Sequence, residues 1–165
     1  DTDRSRGLGD VYKRQITFFC TYMCHNTQSV SLGQTVTVTK EAISDDLYCV
    51  TELVETSGSG IQPFSATQTK SGSKTQRYVN SSGTTLWYVT VHAFFTYNGS
   101  TSSCTSADVT AESNSSAWKV TNKSSWKSGN TGYASATGSH ILSNSEITST
   151  TRTVSISCTK NGTLQ

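Results

Sequence analysis

From Thr84 to Tyr97 the chain alternates without a break. Trp87, Val89, Val91, Ala93, Phe95 and Tyr97 hold the odd positions, and Leu86, Tyr88, Thr90, His92, Phe94 and Thr96 hold the even ones. A period of two over this length predicts a β-strand with one face in a core. A helix would scatter the same residues around its cylinder, and β-branched Val and Thr disfavour it. Asn98-Gly99 follows at once and predicts a hairpin. The return strand is TSSCTSADVTAES, in which Ala107, Val109 and Ala111 alternate.

The same reading extends along the rest of the chain. KTQRYVN runs into a turn at Asn80–Gly83, and SAWKVTN, Ser116–Asn122, is another strand. KSGN, Lys127–Asn130, turns into TGYASATG, and EITSTTRTVSISCT alternates Val154, Ile156 and Cys158 on one face. A second Asn-Gly, Asn161-Gly162, stands too near the end to begin a further strand. Earlier, TVTVT at Thr35–Thr39 reads as a strand, and LYCVTELV at Leu47–Val54 is an apolar run of helix or strand type. ITFFCTYMC, Ile16–Cys24, fits either a short strand or the remnant of a signal-peptide core. The fold class expected is all-β: an antiparallel β-sandwich of about six strands joined by short turns, with a poorly ordered N-terminal segment.

Composition supports this. Ser and Thr make up about a third of the residues, charged residues are 15%, and proline occurs once, at Pro63. A low-charge chain rich in Thr, Ser, Gly and Asn suits an extracellular β protein. No apolar run approaches the roughly 18 residues of a membrane span.

The first fifteen residues stand apart. Back-translated, SRGLGDVYKRQ resembles the transposase adapter used to fragment sequencing libraries, in a frame that fits from Asp1 to Gln15. Residues 1–15 are therefore set aside as non-native, not read as a basic arm for nucleic acid. The chain then reads as a gene fragment from which a signal peptide has been lost.

Charge divides the remainder. From Ile16 to Thr56 one lysine meets five carboxylates, and from Ser57 onward eight cations meet three carboxylates. The shift falls at SGSG, Ser57–Gly60. It divides the chain into an acidic leader or pro-like segment, 16–60, and a basic domain, 61–165, with few contacts expected between them.

Candidate chemistry is sparse. Of five cysteines, Cys104 and Cys158 lie on the clearest strands, either as a disulfide closing a long loop or as two free buried thiols. Cys104, Trp118 and Cys158 echo the Cys–Trp–Cys spacing of immunoglobulin domains, but Ile156 occupies the place of the tyrosine corner. The sandwich is therefore expected to be immunoglobulin-like at most. Cys20-x3-Cys24-His25 lacks the second ligand pair of a structural zinc site, so no metal is assigned. No nucleophile elbow and no cofactor motif occur. Asp108 and Glu112 share a parity but stand without other catalytic support, so the chain is read as no enzyme. The aromatic residues are the better lead. Trp126 sits in SSWKSGN, read as a turn, between Lys123 and Lys127. It is either an exposed anchor for a ligand or a lid folded back on the core.

Several stretches carry a resemblance. Leu86-Trp87, FTYNG at Phe95–Gly99, Cys104, Ala117-Trp118, KSGN at Lys127–Asn130 and Cys158-x2-Asn161-Gly162 resemble a family of small secreted β-rich proteins of Gram-positive gut bacteria. The resemblance covers residues 68–164. It implies secretion and a Cys104–Cys158 bond, and it implies no activity. Cys20, Cys24 and Cys49 depart from it.

The functional expectation is a secreted or surface-associated, non-catalytic binding or structural module. Its partner would be an anionic cell-envelope polymer or glycan, engaged through Trp126, Lys123 and Lys127, with no nucleic acid and no cofactor. The alternative is a secreted antimicrobial or toxin-like effector masked by its acidic leader, and an enzyme comes third.

Overall fold

The computed structural model describes residues 16–20, 33–57, 66–142 and 145–165. Residues 1–15, Cys24, Pro63 and most of the SGSG stretch lie outside them. The chain is all-β, as expected. The described residues form nine strands: β1 (Ile16–Cys20), β2 (Gly33–Ser44), β3 (Leu47–Ser57), β4 (Gln68–Asn80), β5 (Thr85–Tyr97), β6 (Ser102–Ser113), β7 (Trp118–Ser128), β8 (Thr131–Leu142) and β9 (Ser145–Ser157). The last six fall in 61–165, the domain expected to hold about six, and three more precede it. They build two antiparallel sheets, β1-β2-β3-β4-β5-β6 and β7-β8-β9. Neighbours in each sheet are neighbours in sequence. This is a meander folded over once. It differs from the immunoglobulin arrangement, which interleaves strands through Greek-key connections.

The alternation in β5 does what its pattern requires. Trp87, Val89, Val91, Ala93 and Phe95 are all buried, while His92 and Phe94 face solvent. The turns follow their glycines. Gly83 and Gly99 both take φ of +83°, a conformation in which a Cβ would be strained. Asn98 Oδ1 accepts hydrogen bonds from the backbone N–H of Ser100 and Thr101, which closes the β5–β6 hairpin.

The three-stranded sheet lies over β4, β5 and β6. Its backbone comes close at two buried glycines. A Cβ on Gly138 of β8 would stand 2.4 Å from the Trp87 ring, and one on Gly132 would stand 2.9 Å from the Ala93 Cβ. Only glycine leaves room at either point. The core between the sheets joins Tyr78, Trp87, Val89, Val91, Ala93, Phe95 and Ala111 to Ala134, Ala136, Val154 and Ile156.

One expectation is corrected here, the division at SGSG. β3 pairs with β4 along ten residues, from Leu47↔Asn80 to Thr56↔Ser71, and Leu47, Cys49 and Leu53 pack against the core. Glu55 and Glu52 of β3 are ion-paired with Lys70 and Arg77 of β4. The acidic bias before Ser57 thus meets the basic bias after it as neighbours in one sheet. The chain end begins no further strand, as expected. Asn161-Gly162 does turn the chain back, with Thr159 N–H bonded to Thr163 O and Cys158 bridged to Leu164. That turn puts Leu164, 4% exposed, into the core.

Trp87→Ala lowers stability by about 3–5 kcal/mol, as large-to-small core changes do. Gly138→Ala lowers it by about 1–3 kcal/mol, because the added methyl displaces the indole. Urea denaturation of both variants measures this, and an unchanged midpoint for Gly138→Ala contradicts the close approach of the sheets. A chain beginning at Ile61 melts well below the full chain and aggregates, because β4 becomes an unpaired edge. Equal melting temperatures with no light scattering would count against the shared sheet.

Candidate aromatic binding face

β7 is longer than SAWKVTN suggested. It runs through SSWKS, so Trp126 lies on a strand and not at a turn. A β-bulge makes the continuation possible. Between Thr121↔Thr137 and Ser124↔Ser135, β7 advances three residues while β8 advances two. Asn122 absorbs the extra length with φ of +51°. Asn is one of the few side chains that tolerate this conformation.

The bulge reverses the facing of the strand. Trp118 and Val120, before it, pack on the core, and Val120 lies opposite Gly138. Trp126 has the same even parity and in an unbroken strand would point inward too. After the bulge it pairs with Tyr133, whose neighbours Ala134 and Gly132 are the inward residues of β8. A one-residue slip moves every later side chain to the other face. Trp126 therefore stands 44% exposed on the outward face of the small sheet. It is no lid on the core.

Trp126 does not stand alone. Its ring is parallel to that of Tyr133, with 5.1 Å between centroids and 3° between planes. The pair belongs to the row Trp126–Tyr133–Ser155. On either side lie Ser128–Thr131–Ser157 and Ser124–Ser135–Thr153, and Thr121–Thr137–Thr151 follows. These rows carry no carboxylate and no lysine. The hydroxyls partly bond one another: Thr137 Oγ1 and Thr151 Oγ1 are 2.8 Å apart, and Thr153 Oγ1 donates to Ser135 Oγ at 3.3 Å. Over these four rows the face is uncharged, with hydroxyls around one half-open aromatic stack, and the row beyond them carries the exposed Lys119.

The sequence placed Lys123 and Lys127 beside Trp126. Lys123 lies in the bulge and is exposed. Lys127 alternates to the opposite side of β7, where its Nζ donates to the carbonyl of Thr105 on β6 at 2.8 Å. The structure therefore groups Trp126 with Tyr133 and separates it from Lys127. Tyr133 was missed, although the adjoining TGYAS strand contained it. Finding the pair requires the register of β7 on β8, which the bulge shifts.

Cys104 and Cys158 are free thiols in the structure, not the expected bonded pair. They are 2% and 0% exposed. Each donates to a carbonyl, Cys104 Sγ to Ser106 O at 3.3 Å and Cys158 Sγ to Thr159 O at 3.4 Å. Their backbones hang on one turn. Cys104 N–H bonds Gly129 O at 2.8 Å and Cys158 N–H bonds the next carbonyl, Asn130 O, at 3.0 Å. Burial pushes both thiols above their ordinary pKa. Cys49 is half-buried, and burial raises its thiol as well. Of the two further cysteines, Cys20 falls in β1 and Cys24 outside the described residues.

Asp108 and Glu112 stand on the open outward face of β6, in register with His92 and Tyr88. Both are exposed, and no cleft encloses them. Among the described residues no three of His, Cys, Asp and Glu are grouped to hold a metal ion. No described helix is long and apolar enough to cross a membrane, a statement that does not reach β-barrels.

Comparison with protein-family profiles, with curated proteins and with solved structures gave no match.

The burial pattern sets an order of thiol reactivity. A thiol reagent added to native, reduced protein labels Cys49 faster than Cys104 or Cys158, and denaturant abolishes the difference. Peptide mapping of a timed reaction measures this. Equal native rates would contradict the burial of the Cys104 and Cys158 thiols.

Proposed function

We propose that the protein is a secreted or surface-associated, non-catalytic binding module whose ligand is a glycan of the cell envelope, held on the outward face of β7–β9. The observation that carries this reading is the Trp126–Tyr133 stack among hydroxyl-bearing rows of the sheet. A sugar ring has an apolar C–H face and a rim of hydroxyls. The open side of the Trp126 ring suits the first, and Ser124, Ser128, Ser155 and Thr153 supply donors and acceptors for the second. Stacking on Tyr133 fixes the indole beforehand, so little side-chain freedom is lost on binding.

Local charge supports an anionic polymer as the source of that glycan. Lys119 and Lys123 are exposed on β7 near the aromatic face. Attraction of this kind is long-ranged and weak, and salt screens it. The non-catalytic reading rests on the openness of the Asp108–Glu112 face, where neither carboxylate is held in a desolvated pocket.

Trp126→Ala weakens binding of the full chain to purified cell-wall preparations about tenfold, the equivalent of one lost aromatic contact. It leaves the melting temperature within a degree or so of the parent, because the indole lies outside the core. Co-sedimentation at low and high salt, with a thermal melt of each protein, measures both effects. Undiminished binding by Trp126→Ala would contradict the assignment of this face, and salt-independent binding would remove the charge argument.

Secretion carries a second expectation. In an oxidising compartment Cys104 and Cys158 each lose a hydrogen to a disulfide exchange partner and form a bond joining the two sheets. A loop of this length contributes about 4 kcal/mol in the chain-entropy account. Intact mass with and without reductant, on periplasmically exported protein, shows the loss of two hydrogens. Free thiols at both positions in that material would contradict the bond.

A further inference from the structure

β5 contains two adjacent phenylalanines with opposite fates. Phe95 points inward and is 1% exposed, whereas Phe94 points outward and is 52% exposed. A single exposed apolar side chain is ordinary. The surroundings of this one are not. Phe94 forms one wall of a shallow depression of about 170 Å³ on the outward face of the large sheet, and Val54 of β3 lines it with Thr56, Ser71, Ser73 and His92. Register explains the grouping. Phe94 lies opposite Ser71, which lies opposite Thr56, and in the next row His92 lies opposite Ser73, which lies opposite Val54.

The lining has a definite chemistry. Two apolar groups, Phe94 and Val54, stand around three hydroxyls and an imidazole, and no carboxylate, lysine or arginine lines the depression. The His92 Nε2 lies 3.2 Å from Thr110 Oγ1, which leaves Nδ1 directed elsewhere. Higher up the same face the hydroxyls bond each other, as Thr75 Oγ1 and Thr90 Oγ1 do at 2.8 Å. The hydroxyls of Ser71, Ser73 and Thr56 make no such bond among the described residues, so they are available to a ligand.

We infer that this depression is a subsite for one neutral sugar ring, its C–H face on Phe94 and its hydroxyls bonded to Ser71, Ser73, Thr56 and His92. The lack of a cation excludes a phosphate as the preferred ligand, and the hydroxyl floor disfavours an acyl chain. The volume is of the order of one sugar ring. The subsite lies on the large sheet and the Trp126 face on the small one, and both faces point away from the shared core. The subsite itself does not depend on the Trp126 reading. If both hold, one molecule engages two glycan segments at once and cross-links them.

The test uses the full chain, labelled for amide NMR, titrated separately with N-acetylglucosamine, glucose and galactose. At least one sugar gives saturable, fast-exchange shifts at Ser71, Ser73, His92 and Phe94. Those shifts persist in Trp126→Ala, fall at least tenfold in apparent affinity in Phe94→Ala, and return in Phe94→Tyr. All three variants keep the parent melting temperature. Shifts confined to the surroundings of Trp126 would sustain the first site and overturn this one. Shifts that persist in Phe94→Ala, or no shift with any of the three sugars, overturn it as well. So does an anilinonaphthalene dye that occupies the depression without displacement by sugar, which would make the surface simply apolar.

Discussion

The fold depends on one close contact, the Trp87 indole lying flat against the backbone of β8 at Gly138. Around it the aromatic rings form a column. Tyr78 stacks on Trp87 at 4.4 Å, Trp87 faces Trp118 at 6.3 Å, and Trp118 lies on His140 at 5.0 Å. The column takes rings from β4 and β5 of one sheet and from β7 and β8 of the other. It therefore sets how the sheets are placed over each other, along with how far apart they stand. Arg152 of β9 lies over Tyr78 at its end, 5.7 Å from the ring centroid. The remaining core is largely small: Ala93, Ala111, Ala134 and Ala136 let the sheets approach where no large ring separates them.

With the inner faces committed to that column, function is left to the outer ones. The β7 bulge is the decisive feature. It separates a tryptophan that belongs to the core, Trp118, from one turned to solvent, Trp126, eight residues later on the same strand. Bulges commonly re-aim side chains in this way, and a positive-φ Asn marks this one. On the other sheet the β5–β6 register also shifts at Phe94/Phe95, but the extra residue, Thr105, belongs to β6. The alternation of β5 itself turns Phe94 outward between Ser71 and Ser106. Two aromatic groups thus reach solvent by two routes, one by interrupting the strand pattern and one by following it.

Much of this was legible in the sequence. The odd positions of β5 announced an inward face because every one is apolar, and both Asn-Gly pairs marked true turns. What the sequence concealed were consequences of pairing. Glu41, Asp45, Asp46, Glu52 and Glu55 made residues 16–60 look like a separate acidic leader, because a one-dimensional charge count cannot show that Glu52 and Glu55 pair with Arg77 and Lys70 of the neighbouring strand. Trp126 read as a turn residue because KSSWKSGN is polar and Gly-punctuated. Only the register on β8 shows that the strand continues past the bulge to Ser128. Leu164 was invisible as a core residue, since its burial follows from a turn four residues before the end. The cysteines show the opposite case: their burial on strands was legible, and their redox state is set by the compartment.

The central claim is that the outward face of β7–β9 is where a glycan binds. Amide NMR of the full chain titrated with soluble peptidoglycan fragments maps the contact directly. The account predicts shifts that centre on Trp126, Tyr133 and Ser155, spread to Ser124 and Thr153, and leave the core row at Val89 and Val91 unmoved. Shifts centred on β1–β3, or a spectrum unchanged at saturating fragment, would contradict it.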